Sequence, residues 1–597
     1  MLAVLALVSC ACAASAVPLA ATYLRANYLV DPTLADAAPY LSWIAASTVR
    51  GAVQASYHVI VRSVTAGSIV AWDSGVVVSN ATTGVQTPVL AADSVFTWTV
   101  TWTDNTGATA PESAPATFGT PPGPDAAWAA ANAQWVGCTG VGGPDAHQMR
   151  LDFTPAPPSA GATISQARLY VSGLGWHISF LNGARLGDAV LEPAFTNLRT
   201  RVLYTAHDVT RLVRAGAPNA FAALLGGGWT DVLAPWGPNN GTGVPPWNGS
   251  AVHAVEGATR GPTKADMMSL TQHDLDLLIA GGLGHGHTGY ERRLRMWLSV
   301  RWSDGTTTSV VSAASNMGRR AADAAAAAWQ CGSGALIAAD LYGGCEIDAR
   351  LETSGWTDVG YNFSTGSWAD AVRIAEPGGA MAPAVFPPVR VVNELLPCAM
   401  WQTPNGSYVF DLCQNFAGGV RLSLPGPTAP GTRIIVRHAE AIMHPPYGPQ
   451  DGSLYFGNLR SAEATDTYTT RGSADGEVFE PLFTWHGFRY VEVRGLDFTP
   501  PQTGVVTGLN FRTDVATTGA LAFPASANVL NQLAHAISWG QASNLMGNPS
   551  DCPQRDERLG WTGDSALTNA ESAYNFDMHA FCKSMQSTLS AAASPWP

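Results

Sequence analysis

The stretch ASANVLNQLAHAISWGQASNLMGNPSDCPQRDERLGWTGD (525–564) is where the chain changes character. Its first half has helical periodicity: Leu530, Leu533, Ala534 and Ile537 fall at i, i+3, i+4 and i+7, and Ser526 is placed to cap the first turn. A loop then opens at Asn548-Pro549-Ser550, a second helix is predicted from near Thr562, and a third runs to about Ala593. Upstream the period is that of strands. YHVIVRSV (57–64) and FTWTVTW (96–102) predict a small β-sandwich over 20–120, closed by the Pro-rich linker TPPGPDAAW (120–128). A second β-region over 125–385 contains ARLYVSGLGWHISFLNGARLGD (167–188), in which Asn182-Gly183 between apolar runs is a strong hairpin signal. A Gly-, Pro- and Asn-rich insertion (236–289) interrupts it before RMWLSVRW (295–302) resumes the strands. YVFDL (408–412), RIIVRHAEA (433–441) and HGFRYVEVRG (486–495) mark a third β-region over 386–515. The fold class read from this pattern is three consecutive antiparallel β-sandwiches followed by helices from 520 to 597.

Composition narrows the function. Of 597 residues, 32 are basic and 45 acidic, a formal net charge of −13, and no segment concentrates Lys or Arg, so a nucleic-acid partner is not expected. Charged residues make up only 13%, while 46% hydrophobic residues suffice for extensive cores. Twenty tryptophans in a turn-rich chain suit sugar binding, because a flat indole packs on the apolar face of a pyranose.

Residues 1–16 read as a secretory signal, with an apolar run from Leu2 to Ala14 and a small-residue cleavage pattern at Ala14-Ser15-Ala16. Leu7-Val8-Ser9-Cys10 also fits a lipoprotein signal, which would anchor the protein through Cys10. No later stretch has the roughly 18 apolar residues of a transmembrane helix. Seven cysteines remain beyond the leader without Cys-x-x-Cys spacing, which removes zinc ribbons and thioredoxin-like sites; Cys331 and Cys345 are the expected local pair.

The chemistry concentrates in NPSDCPQRDERLGWTGD (548–564). Asp551, Asp556, Glu557 and Asp564 lie within fourteen residues, interleaved with Arg555, Arg558 and Trp561. Clustered carboxylates oppose one another's ionisation, so one can stay protonated and act as a general acid. The same residues also fit a solvated loop with ion pairs at i,i+4.

DCPQRDERLGWTGD closely resembles the signature of the α-L-rhamnosidases of glycoside hydrolase family seventy-eight. Other segments resemble that family in the same order: LSWIAAS, QASYHVIV and WDSG within 41–75, LYVSGLGWHISFLNGARLGD (169–188), LYGGCEIDARLE (341–352), FDLCQNFAGGVRLSL (410–424), NLRSAEATDTY (458–468) and FTWHGFRYVEV (483–493). The resemblance implies a fibronectin-like sandwich (20–120), a rhamnosidase amino-terminal sandwich (125–385), a concanavalin-like sandwich (386–515) and the first helices of an (α/α)6 six-hairpin barrel (520–597). It implies inverting hydrolysis of terminal α-L-rhamnose on rhamnose-containing glycosides or polysaccharides. Glu557 is then the general acid, Asp551 and Asp564 hold rhamnose hydroxyls, Arg555 and Asp556 support the pocket, and Trp561 packs beside the sugar. Two departures touch packing: Leu412-Cys413 stands where an aromatic-Gly pair is usual, and Cys345 lies in a normally cysteine-free motif. No cofactor is required by this reading; relatives leave room for calcium in the second sandwich, although no calcium cluster matches residue by residue.

Other candidates carry less. His285 and His287 lack a second ligand cluster and read as a flexible loop, and His438, Glu440 and His444 read as surface or pocket-rim positions, so no metal ligands are assigned. No Gly-x-Ser-x-Gly elbow is present. Two alternative functions stay open: an exo-glycosidase of other sugar specificity on the same barrel, and a carbohydrate-binding protein without turnover. Residues 520–597 hold about three helices, whereas a twelve-helix barrel at about 11–12 residues per helix needs well over 130 residues. The general base is therefore expected beyond Pro597, Glu571 is not nominated for it, and the chain is expected to be a fragment with little activity alone.

Overall fold

The computed structural model describes residues 18–138, 148–230, 292–313, 329–364, 367–500 and 504–592. The leader 1–16, the insertion 236–289 with His285 and His287, and the last residues of the third helix lie outside the described residues. The chain forms two compact units, Met1–Gly123 and Pro124–Pro597.

In the first unit a three-stranded sheet (Thr22–Ala26, Tyr40–Ile44, Val85–Gln86) and a four-stranded sheet (Ile69–Val78, Gln54–Ser63, Val95–Asp104, Ala116–Gly119) enclose one core. Period-two patterning builds it: Phe96, Trp98, Val100 and Trp102 all point inward from one strand. The buried Trp43 indole donates to Gln54 Oε1 at 2.9 Å, so the aromatic core leaves that N–H paired.

The second unit opens with a sandwich of a seven-stranded and a six-stranded sheet around Met149, Leu169, Phe221, Leu298 and Trp329. Asn182 and Gly183 turn between paired Leu181 and Ala184 with φ of 53° and 86°, the left-handed pair that a two-residue hairpin demands. A ten-stranded sheet follows, with its core on Phe410, Phe416, Val436, Phe488 and Val491. Its longest strand, Tyr408–Leu424, changes partners along its length and shifts register between Asp411 and Phe416. Cys413 sits inside that bulge at φ 59°, a conformation that favours Gly, and is bonded to Cys398. That accounts for a cysteine where the resembled pattern carries Gly.

The structure departs from the sequence reading at several points. Among the described residues two pairings are parallel, Arg201–Asp208 with Ala380–Pro383 and Gly344–Asp348 with Thr465–Thr469, each joined through a long crossover. Leu336–Asp340 and Gly344–Asp348, read with the second sandwich, extend the ten-stranded sheet instead. Cys331 therefore cannot meet Cys345: it lies in the second sandwich and bonds Cys138, with Cα atoms 5.8 Å apart, while Cys345 is a buried free thiol. His438 is wholly buried rather than at a rim, because it falls on the inward register of Arg433–Ala439; Glu440 is half-buried and His444 exposed. Ser526 does not cap the helix Asn528–Ser543; a short 3₁₀ turn, Ala525–Ala527, precedes it without a side-chain cap.

Two further helices, Thr562–Asn575 and His579–Ala592, complete the described chain. Their shared core is small: Val515, Ala542, Leu545, Phe576, Met578 and Phe581. The stripe predicted on the first helix is exposed, with Leu530 at 40%, Leu533 at 56% and Ile537 at 43%. No helix among the described residues is long and apolar enough to cross a membrane.

Between the first two helices, the loop 544–561 is pinned to the ten-stranded sheet by Arg558. This side chain is fully buried in a left-handed backbone position, φ 57°. Nη1 donates to Leu341 O at 2.7 Å and to Trp485 O, Nη2 to Gln554 O at 3.1 Å, and Nε to Arg555 O at 3.0 Å. The guanidinium also lies 5.3 Å from the Tyr342 ring centroid and 5.4 Å from that of Trp485. Burial draws it down to about 10, so it stays charged at neutral pH. An ammonium cannot serve four carbonyls in a plane. Arg558→Lys is expected to destabilise the second unit by about 1–3 kcal/mol and to speed tryptic cleavage at Arg555; unchanged unfolding midpoint and cleavage rate would refute the anchor.

Candidate active site

The loop closes on itself before it presents anything. Ser550 N–H donates to Asn544 O at 2.8 Å, Asp551 N–H to Leu559 O at 3.2 Å, and Leu559 N–H to Asp551 Oδ1 at 3.1 Å. Asp551 thus spends one oxygen on holding the far end of the loop. Its other oxygen, Oδ2, faces Arg555 Nη2 at 3.4 Å, and the same Nη2 reaches Glu557 Oε2 at 2.8 Å.

A second arginine comes from outside the helical region. Arg460 follows a 3₁₀ turn in the ten-stranded domain at φ 55°, and its Nη2 meets Glu557 Oε2 at 2.9 Å. Its Nη1 lies 3.6 Å from Asp556 Oδ1, while Asp556 Oδ2 accepts from the Ser461 hydroxyl and, at 3.3 Å, from Ser461 N–H. Tyr342 O–H donates to Glu557 O at 2.7 Å, fixing that residue's backbone as well. Two guanidiniums on one carboxylate oxygen form a charge-assisted clamp, and among the described residues no hydrogen bond engages Glu557 Oε1. Burial raises Asp551 above the usual carboxylate range and the Glu557 charge adds to it, against the Cys552 thiol and Arg555. Burial pushes the Cys552 thiol up to about 12, which keeps it protonated and poorly nucleophilic.

The structure therefore brings Asp551, Arg555 and Glu557 together and turns Asp556 toward Ser461 behind them. Trp561 is half-buried at the end of the loop, and Asp564 is exposed on the first turn of Thr562–Asn575, with no ion pair to the cluster among the described residues. Asn548 Oδ1, Ser550 Oγ, Arg555 Nε and Trp561 Nε1 are buried polar atoms without a hydrogen-bond partner. Arg460, Ser461 and Tyr342 were not legible as site residues. Arg460 lies 97 positions before Glu557, in a segment whose composition marks only a sandwich.

Three groupings of potential metal ligands occur among the described residues: Cys398, Asp411 and Cys413; His438, Asp466 and His486; and Asp551, Cys552 and Glu557. None of the three lies in the described part of 125–385. The first contains a disulfide, and the third already faces two guanidiniums.

Comparison with known proteins follows the same domain order. Family models match as a Rha78A-like N-terminal immunoglobulin domain (21–121), an α-L-rhamnosidase N-terminal domain (162–243 and 279–393), a bacterial α-L-rhamnosidase concanavalin-like domain (401–511) and a bacterial α-L-rhamnosidase six-hairpin glycosidase domain (518–595). An α-L-rhamnosidase of Streptomyces avermitilis is 36% identical over 421 residues, covering 70% of this chain and 34% of that protein. One from Alteromonas sp. is 27% identical over 573 residues, covering 93% and 53%. The chain thus spans about a third to a half of these relatives' lengths. Among solved structures, α-L-rhamnosidase from Dictyoglumus thermophilum superposes with a TM-score of 0.74 at 29% identity, covering 94% of this chain and 56% of that one. The Streptomyces avermitilis enzyme complexed with L-rhamnose also gives 0.74, at 25% identity, covering 95% and 64%. In domain order, sequence and fold, the chain belongs to the α-L-rhamnosidase family.

Proposed function

We propose that this site serves the inverting hydrolysis of terminal α-L-rhamnosides, with Glu557 as the general acid. The observation that carries the proposal is the clamp on Glu557: Oε2 is held by Arg460 and Arg555, which aims Oε1 for delivery of a proton to a departing glycosidic oxygen. The rhamnose-complexed relative supports the choice of sugar. Asp551 and Asp564 hold sugar hydroxyls, Arg555 and Asp556 support the pocket, and Trp561 packs beside the ring. Inversion also requires a carboxylate about 6.5–9.5 Å from the acid to activate water, and no described residue is assigned that role. Two disulfides are what an oxidising, extracytoplasmic compartment permits, which supports secretion, or anchoring through Cys10.

Hydrolysis of nitrophenyl α-L-rhamnoside and calorimetric titration with L-rhamnose test the reading on the 597-residue chain. Whatever turnover the 597-residue chain shows is expected to fall by about 10²–10⁴-fold in Glu557→Gln, with L-rhamnose affinity nearly unchanged. Turnover that survives the substitution would remove Glu557 from the acid role. Preference for another nitrophenyl sugar would reassign the substrate, and rhamnose binding by residues 20–515 alone would favour a binding protein.

Asp551 gives a pH test with a definite sign. Its proton is bound more tightly in the folded chain than in the unfolded one, so its contribution to stability is fullest at low pH and declines as pH rises above about 4. Asn keeps the Oδ1 acceptor for Leu559 N–H without the charge. Asp551→Asn is therefore expected to gain in melting temperature relative to the parent as pH rises; a difference constant with pH would show that burial of the charge is not the dominant effect.

A further inference from the structure

Beneath the Arg558 anchor lies a second constellation that the proposed hydrolysis does not use. His438, Asp466 and His486 come from three adjacent strands, Arg433–Ala439, Thr465–Thr469 and His486–Arg494, and all three side chains are fully buried. We propose that His438 Nε2, Asp466 and His486 Nε2 form a structural site for a divalent ion of the zinc class.

The geometry argues for it in three steps. His438 Nδ1 lies 3.0 Å from Ala464 O, and a carbonyl can only accept, so Nδ1 carries the proton and Nε2 presents a lone pair. This backbone contact is the usual way a ligating imidazole is oriented. That lone pair has no hydrogen-bond partner and faces Asp466 Oδ2 at 3.7 Å, so two acceptors oppose each other in a dry interior. A proton does not resolve the conflict, because 3.7 Å is too long for a hydrogen bond. A divalent ion does. His486 Nε2 lies 3.1 and 3.2 Å from the two Asp466 oxygens, a hydrogen bond in the ion-free site, so ligation at Nε2 moves that proton to Nδ1, while Asp466 Oδ1 keeps the Cys345 N–H at 2.9 Å. Zinc bonds of about 2.0–2.1 Å at tetrahedral angles place donor atoms roughly 3.3 Å apart, between these separations and the 3.7 Å one. Two imidazoles and one carboxylate are a zinc-type donor set. The two rings are stacked, with centroids 4.2 Å apart and planes 24° from parallel, so ligation tilts one ring out of the stack to converge both lone pairs. Full burial means that the ion enters as the strands assemble.

The test is metal content. Untagged 597-residue chain is unfolded in chelator, refolded with or without Zn²⁺, freed of excess metal, and analysed by elemental mass spectrometry and thermal melting. The proposal expects about one zinc per chain, a higher melting temperature with zinc, and at least a tenfold loss of bound zinc in His438→Gln. X-ray absorption on the parent protein should show a nitrogen and oxygen shell without sulfur, and this reading stands even if the variant fails to fold. Zinc below about a tenth of an equivalent, zinc retained in folded His438→Gln, or a sulfur shell from the free cysteines would each overturn it.

Discussion

The buried charge of Arg558 is the constraint on which the candidate site depends. A guanidinium taken out of water is stable only where acceptors are already in place. Here the acceptors are carbonyls from three separate places: Leu341 and Trp485 in the ten-stranded domain, and Gln554 and Arg555 in the loop itself. None can move without stranding a donor. The loop therefore takes its position from the sheet beneath it, and the residue before Arg558 is the proposed acid.

Around that anchor the contacts form a shell of unlike parts. Trp485 packs with Trp176 and Trp229 of the preceding sandwich, at centroid distances of 6.0 and 6.2 Å. Met546 and Leu559 insert into the same apolar cluster from the loop. Arg460 reaches Glu557 from a positive-φ position, a backbone conformation that costs a non-glycine residue of order 1 kcal/mol or more and persists where the surroundings dictate it. The polar clamp on Glu557 is thus mounted on an apolar joint between two β-domains.

The sequence makes local structure legible and long-range partnership much less so. Alternation exposes the inward Phe96, Trp98, Val100 and Trp102; Asn182-Gly183 marks its hairpin; and the helix from Thr562 begins where the pattern places it. These features are decided within a few residues. Arg460, Ser461 and Tyr342 reach the loop from 97, 95 and 215 positions away, and nothing in their own spacing records the destination. The same reason misplaces Cys331, whose partner lies in the earlier strand region, and His438, whose burial depends on which strands flank it. The family resemblance supplies candidate roles for Asp551 and Glu557, but not the two arginines that share one oxygen between them.

Helix and loop also differ in what fixes them. The helix Asn528–Ser543 exposes Leu530, Leu533 and Ile537, and its core with the two following helices is six residues. Most helical stability in proteins comes from burying an amphipathic face, so these helices receive little of it from one another. The loop between the first two of them is instead held by Arg558, Tyr342, Arg460 and Ser461, all bonded to or borne by the β-domains or buried against them. The order of dependence is therefore the reverse of the one that helix–loop–helix chemistry suggests. The sheet positions Glu557 and the loop that bears it, and the helices Asn528–Ser543 and Thr562–Asn575 flank that loop.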